Sequence, residues 1–255
     1  MTKTEDSPKF ENAKNSENEC ILEEELESIV LIHLAKGAIQ ENAKLYGPVY
    51  THMASEYALK FESRMLKEDP PRNIQGLEDV TNYIIKNQSR YPRGHCALIY
   101  GLSRTESELQ GFAGTSGSRR SAHNAMKNFL EATGLLKSLV GTTEDALEAN
   151  KLFSVRSKDT PVDKRLPTRK TEQTQRIHYI RVEGKNKLIV IISNCVYKDA
   201  CRAFLDEGIS RMLGGLVCIN LITGAAFAEI ITRKTFDYVL EEFDEPDCRG
   251  RIWKV

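Results

Sequence analysis

The fold is decided by the C-terminal stretch of the chain, residues 217–255, which reads VCINLITGAAFAEIITRKTFDYVLEEFDEPDCRGRIWKV. Its first part is apolar and rich in small residues, and it completes a helical region that we expect at about 201–231. The remainder predicts two strands, 236–243 and 249–255, joined by an acidic turn that contains proline. The chain is therefore expected to end in a helix followed by a β-hairpin.

A second hairpin is predicted upstream of this stretch. Two runs rich in β-branched residues, 177–182 and 188–192, flank the turn sequence Glu183-Gly184-Lys185-Asn186. The N-terminal part has the spacing of apolar residues that is typical of amphipathic helices. We expect helices at 21–45, 49–66 and 76–87, followed by a strand at 95–100.

The segment 104–175 differs in character. Three glycines, Gly111, Gly114 and Gly117, indicate a flexible surface loop that leads into one helix. Residues 154–176 contain seven Lys or Arg against three acidic residues and lack a hydrophobic period, which is typical of a solvated linker. We interpret the whole segment as an insertion.

These elements predict an α+β fold in which an antiparallel sheet is covered on one face by helices. We expect the chain to be organised as a disordered tail, an N-terminal helical part, an insertion or linker with one helix, and a C-terminal part of hairpin, helices and hairpin. The corresponding ranges are 1–20, 21–103, 104–175 and 176–255.

Composition excludes several classes of protein. The chain has 255 residues, 40% of them hydrophobic, and no apolar run reaches the roughly 18 residues that span a bilayer. No signal-like segment follows Met1, so we expect a cytoplasmic protein without membrane insertion. Lys and Arg number 36 and Asp and Glu also number 36, which makes nucleic acid an unexpected partner.

The chain contains six cysteines. In a reducing cytoplasm, cysteines point to metal or redox chemistry rather than to structural disulfides. We interpret Cys20 and Cys96 as structural or incidental. The other four are concentrated in the C-terminal part: Cys195, Cys201, Cys218 and Cys248.

The C-terminal pattern resembles the 4-vinyl reductase domain family, which is related to subunits of vesicle-tethering complexes. A cysteine, Cys218, opens a helix of small residues, a strand ends at Glu241 and Glu242, and Cys248 lies in the final turn. The resemblance implies helices and an antiparallel sheet enclosing an apolar pocket. It also implies binding of small molecules, some of them aromatic.

In metal-binding members of that family, the matching positions imply Cys218, Glu241 and Cys248 as ligands. This chain has Asp244 where such relatives carry a further cysteine. Cys195 and Cys201 could supply the missing thiolates, and a set of four suits either zinc or an iron–sulfur cluster. The alternative is that all four are small buried hydrophobic residues.

A stripe of aromatic and sulfur-containing side chains is a candidate lining for the ligand pocket, although helical spacing also fits plain core packing. Its members are Tyr50, Met53, Tyr57, Phe61 and Tyr83. No nucleophile elbow, Ser/His/Asp order or paired carboxylates indicate an enzyme. We therefore assign no catalytic residues.

The leading functional prediction is binding or sensing of a small hydrophobic molecule, together with a cysteine-based metal site. One alternative is an iron–sulfur or cysteine-dependent enzyme, either a reductase or a hydrolase, on the same fold. Another is an assembly module like the tethering subunits, in which the helices at 21–66 form a homodimer interface or bind a regulatory partner.

Overall fold

A sheet of five antiparallel strands, in the order β1-β2-β3-β5-β4, is flanked by helices in the computed structural model. The structure describes residues 19–24, 28–132, 136–158, 175–182, 184–208, 218–243 and 247–255. The strands are β1 Glu19–Glu24, β2 Gln175–Arg181, β3 Lys187–Ser193, β4 Phe236–Phe243 and β5 Asp247–Lys254. The helices are α1 Ser28–Tyr46, α2 Pro48–Leu66, α3 Gly76–Asn87, α4 His95–Ala132, α5 Leu136–Leu139, α6 Ala146–Lys158, α7 Lys198–Asp206 and α8 Ile219–Thr232.

Both predicted hairpins are confirmed. Strands β2 and β3 pair around a turn in which Gly184 adopts a positive φ of 60°, and β4 pairs with β5. Along β3, Leu188, Val190 and Ile192 are fully buried, whereas the alternate positions are partly exposed. This alternation places the helices on one face of the sheet and confirms the α+β fold class.

The N-terminal boundary is corrected. Residues 19–24 form the edge strand β1, which pairs with β2 with Ile21 opposite His178. The prediction had divided this segment between a tail that ends at residue 20 and a helix that begins at 21. Because the partner strand lies far along the chain, the local sequence alone favoured neither structure. Residues 1–18 of the predicted tail lie outside the described residues.

The predicted strand at 95–100 is wrong. These residues begin the 38-residue helix α4, and Cys96, Ala97 and Leu98 are completely buried there. A short run that is apolar on every side fits a buried helix as well as a buried strand, so its periodicity does not discriminate between them. Helix α4 packs along α1, α2 and α8 and forms the centre of the helical layer.

The segment 104–175 contains more than the one predicted helix. Its first part continues α4, and Gly111, Gly114 and Gly117 lie within that helix rather than in a loop. Helices α5 and α6 follow, and Ala146 and Leu147 of α6 are fully buried in the main core. The boundary that we expected at residue 103 thus falls inside a helix. Residues 159–174 of the basic linker lie outside the described residues.

Helices α2 and α4 approach closely at Gly101. A Cβ at this position would lie 2.2 Å from the Ala54 carbonyl oxygen and 3.0 Å from the Ala58 Cβ. We expect Gly101→Ala to lower the free energy of unfolding by about 1 to 3 kcal/mol, measured by chemical denaturation. The control is Gly37→Ala in α1, where a Cβ meets no atom within 4 Å and should stabilise the helix slightly. Equal effects of the two substitutions would contradict this prediction.

Candidate functional site

An acidic residue on the buried face of α2 forms the centre of the candidate site. Glu62 follows Ala58 by one helical turn and precedes Leu66 by one turn, and all three are buried. The exposed fraction of Glu62 is 0%. Within the described residues, no donor lies within hydrogen-bonding distance of either carboxyl oxygen. Buried carboxyl groups are normally paired or hydrogen-bonded, so Glu62 is an exception that calls for an explanation.

The turn that contains Gly94 lies close to the Glu62 carboxyl group. A Cβ at Gly94 would lie 3.8 Å from Glu62 Oε1 and only 2.5 Å from Ile84 Cγ2, so the turn before α4 closes directly over the carboxyl group. Burial raises the pKa of Glu62 to about 8. The group is therefore largely protonated and uncharged at neutral pH.

Aromatic rings pack against Phe61, the residue before Glu62. The ring of Phe61 lies 6.5 Å from that of Tyr91 and 4.9 Å from that of Tyr100, centroid to centroid. The Tyr91 hydroxyl donates to Asp199 Oδ2 at 2.9 Å, and Tyr91 is close enough to Glu62 for the two to interact electrostatically. We call Phe61, Glu62, Ile84, Tyr91 and Gly94 the Glu62 site.

The predicted pocket residues do not form one group. Phe61 belongs to the Glu62 site, whereas Tyr50 is buried where α1, α2 and α4 meet and accepts a hydrogen bond of 2.8 Å from Asn42 Nδ2. The Tyr57 hydroxyl donates to Glu108 Oε1 at 2.7 Å. Met53 and Tyr83 are partly buried on α2 and α3. That these five residues together line a ligand pocket stays a prediction.

A second cluster consists of cysteines. Cys201 on α7 lies within electrostatic reach of four other buried thiols, which come from α4, from the turn after β3, from the residue before α8 and from β5. We call this set the thiol cluster: Cys96, Cys195, Cys201, Cys218 and Cys248. Sequence reasoning had identified the last four and had set Cys96 aside, although Cys96 is fully buried and donates to the Val196 carbonyl at 3.2 Å.

Burial protects the thiol cluster from ionisation. It raises the pKa of Cys195 and of Cys218 to about 12, and it raises the pKa of Cys96 and Cys201 as well. Since the thiolate is the nucleophilic form, these neutral thiols are poorly suited to act as a catalytic nucleophile.

The structure does not arrange the thiol cluster as a metal centre. Across the described ranges, no group of three His, Cys, Asp or Glu side chains is placed to hold a metal ion. The Glu241 carboxylate pairs instead with the Arg251 guanidinium on the neighbouring strand. The expectation of zinc or an iron–sulfur cluster stays a prediction.

A buried histidine connects the helices to the chain after β3. Burial lowers the pKa of His95 to about 4, so its ring is neutral. Its Nε2–H donates to the Val196 carbonyl at 3.0 Å, which leaves Nδ1 to accept from the Ser28 hydroxyl at 3.2 Å. Gln88 Nε2 in turn donates to Ser28 Oγ at 3.1 Å.

The same network continues into the sheet. Gln175 Oε1 accepts from the Val196 backbone N–H at 3.0 Å and from Asn220 Nδ2 at 3.2 Å. Asn220 Nδ2 also lies 3.4 Å from Cys195 Sγ. We call this network the polar seam: Ser28, Gln88, His95, Gln175, Val196 and Asn220. It joins the start of α1 and the end of α3 to α4, β2 and α8. It reaches the Glu62 site through Gly94, the residue before His95, and it reaches the thiol cluster through Cys195.

The thiol cluster leads to a prediction about reactivity. We expect its five cysteines to react with iodoacetamide at least about a hundredfold more slowly in the native protein than in denaturant, because all five are buried. Peptide mass spectrometry after timed labelling measures each position separately. Rapid native labelling of any of the five would contradict the burial described here.

The helices that we expected to form a dimer interface carry some exposed apolar surface. Leu45 is 42% exposed and Val49 is 62% exposed at the junction of α1 and α2. Homodimer formation stays a prediction, which light scattering on the purified protein can test.

None of the helices in the described part of the chain is long and apolar enough to cross a membrane. No family model matches the sequence, and no curated protein matches it. Among solved structures, the chain is similar to the crystal structure of the Fe(II) unliganded H-NOX protein from K. algicida. The TM-score is 0.40 at 12% identity, over 90% of this chain and 97% of that one. A likeness of this size assigns neither a ligand nor a function to the chain.

Proposed function

We propose that this protein binds and senses a small hydrophobic molecule at the Glu62 site, in the manner of the 4-vinyl reductase domain family. The observation that carries the proposal is the Glu62 carboxyl group, which is fully buried near Tyr91 and has no partner among the described residues. Small-molecule sites typically combine an apolar lining with a few polar groups that orient the ligand.

Energetics support this assignment. Leaving a buried polar group unsatisfied costs about 1 to 3 kcal/mol, so a ligand that supplies a hydrogen bond to Glu62 would remove an existing penalty. The surrounding rings would contribute apolar contact area for the rest of the ligand.

Hydrogen bonds also connect the Glu62 site to helix α7. Asp199 near the start of α7 accepts from the Tyr91 hydroxyl and from Arg93 Nη1, each at 2.9 Å. A ligand that displaces Tyr91 would change these contacts and thereby shift the equilibrium position of α7. Sensing in this proposal means that a partner reads the position of α7.

A thermal-shift screen with small aromatic and aliphatic compounds tests the proposal. A ligand at a hundred times its dissociation constant should stabilise the protein by about 2.7 kcal/mol. We expect Phe61→Leu and Glu62→Gln to weaken the shift, and Tyr50→Phe, at the other end of α2, to leave it unchanged. The proposal fails if no compound stabilises the protein, or if the Tyr50 variant loses binding as much as the other two.

The thiol cluster supports a second candidate function, a metal centre. The observation in its favour is that Cys201 lies among the other three cysteines of the predicted ligand set. Metal ligation requires thiolates, so binding would release protons and require a rearrangement of these side chains. Elemental analysis and a visible spectrum of anaerobically purified protein test it, with Cys201→Ser as the variant and Cys20→Ser as the control. A stoichiometric metal that is lost only in the first variant would support this function, and metal-free protein would contradict it.

A further inference from the structure

We infer that the ligand of the Glu62 site is an organic amine with an apolar body, whose ammonium group pairs with the Glu62 carboxylate. This inference rests on the proposed function and adds the chemical class of the ligand. It is argued from the partners that the site lacks and from the groups that surround it.

The missing partner is a cation. The arginines nearest in sequence to the site are each engaged by another acidic residue: Arg64 with Glu207, Arg90 with Glu68 and Arg93 with Asp199. Among the described residues no basic group pairs with Glu62. An ammonium group supplies both the charge and the several N–H donors that two unpartnered carboxyl oxygens can accept.

The aromatic neighbours favour the same class. Tyr91 lies within electrostatic reach of Glu62, and aromatic faces attract cations, most strongly where water is excluded. The Phe61 ring already has the Arg64 guanidinium 5.1 Å from its centroid, so Tyr91 is the ring that a ligand cation would contact. A ligand carboxylate would instead place a second negative group against Glu62, which is unfavourable unless the two share a proton. A neutral alcohol could donate only one hydrogen bond and would leave Glu62 protonated.

Binding of an ammonium ion should release a proton. The carboxyl group of the free protein is largely protonated at neutral pH, and the O–H proton passes to solvent when the carboxylate forms its pair with the ammonium ion. The other titratable or charged groups near the site are Tyr91 and Arg93 on the turn before α4, Cys96 and Tyr100 on α4, Asp199 on α7 and Arg64 on α2. Burial raises the pKa of Tyr100, and Arg64 pairs with Glu207. Burial raises the pKa of Tyr91 and of Cys96, so both stay neutral, and Asp199 keeps its partner Arg93. The released proton is therefore that of Glu62.

Three probes of similar size test this inference on the full chain: phenethylamine, phenethyl alcohol and hydrocinnamic acid. Isothermal titration calorimetry at neutral pH, in phosphate and in Tris, measures the number of protons released from the difference in apparent enthalpy. We expect the amine to bind at least about tenfold more tightly than the other two and to release close to one proton. Glu62→Gln should lose this preference and release no proton, and Glu56→Gln on the exposed side of α2 should behave as wild type.

The possible outcomes distinguish the assignment of an amine ligand from the proposed function. Tighter binding of the alcohol or the acid, with the same dependence on Phe61, would overturn the amine assignment and leave the proposed function intact. Amine binding without proton release would also overturn it, and this readout needs no variant to fold. Failure of all three probes, together with the wider screen, would overturn the proposed function and this inference with it.

Discussion

The free energy of unfolding of the wild-type protein, measured relative to that of Glu62→Gln, should fall as the pH rises from about 4.5 to about 8. His95, whose lowered pKa acts in the opposite direction below about pH 6.5, is present in both proteins and cancels in the difference. Burial raises the pKa of Glu62 from 4.5 to about 8 in the folded protein, so the folded state holds this proton more tightly than the unfolded state. The stability associated with the proton is fully present below the unfolded pKa and is lost as the pH rises through the folded pKa. Above about pH 8 the accumulated loss is on the order of 4 to 5 kcal/mol.

Urea denaturation between about pH 5 and about pH 9 measures this effect, because glutamine keeps the shape of the protonated side chain and cannot ionise. The control is Glu56→Gln, since Glu56 lies on the same helix but is exposed and pairs with Lys60. Parallel stability curves for wild type and Glu62→Gln would show that Glu62 does not carry the expected proton. An added amine that pairs with the Glu62 carboxylate should reduce the pH dependence of wild-type stability. This result would support the assignment of an amine as the ligand.

The C-terminal half could be predicted because its signals are local. A Gly-containing turn lies between two β-branched runs in the first hairpin, and an acidic sequence with proline separates the strands of the second. Small residues in α8 allow it to approach the sheet closely, and a Cβ at Gly224 would lie 3.0 Å from the Tyr179 hydroxyl. Such features depend on neighbouring residues or on residue size, both of which a sequence displays.

The N-terminal half was harder to predict because its structure depends on distant partners. Strand β1 is stabilised by β2, which lies beyond all of α1 to α6 in the chain. The run that begins at His95 is helical because helices surround it on its sides, and nothing in its own period excludes a strand. In both places tertiary packing decided between two conformations that the local sequence allowed.

The candidate site was only partly visible in the sequence. Glu62 follows Ala58 by four residues and Leu59 by three, so an acidic residue on an apolar helical face was a signal that could have been used. The sequence did not show that Glu62 lacks a partner, because its neighbours Tyr91 and Gly94 belong to a separate turn of the chain. Cys96 likewise joined the other cysteines only once α4 had been placed against α7 and the turn after β3.

The other large effect on stability is expected from a substitution in the polar seam. We expect Gln175→Leu to lower the free energy of unfolding by about 4 kcal/mol, although leucine is similar in size and Gln175 is fully buried. The substitution leaves the buried Val196 N–H without its acceptor, and it removes from Asn220 both a donor and an acceptor at 3.2 Å. Each buried group that loses its partner costs about 1 to 3 kcal/mol.

A double-mutant cycle separates this cost from lost packing. In Gln175→Leu with Asn220→Leu, the two amides that faced each other are both gone, so neither leaves the other unpaired, whereas the Val196 N–H and the Cys195 thiol still lose a partner. We therefore expect the double variant to be more stable than the sum of the single effects implies, by about 1 to 3 kcal/mol. Because Val196 also accepts from His95, amide hydrogen exchange should show loosening that extends from α8 to the start of α4 in the single variant. Strict additivity, with loosening confined to α8, would show that Gln175 acts through packing alone and that the seam does not connect the two halves of the molecule.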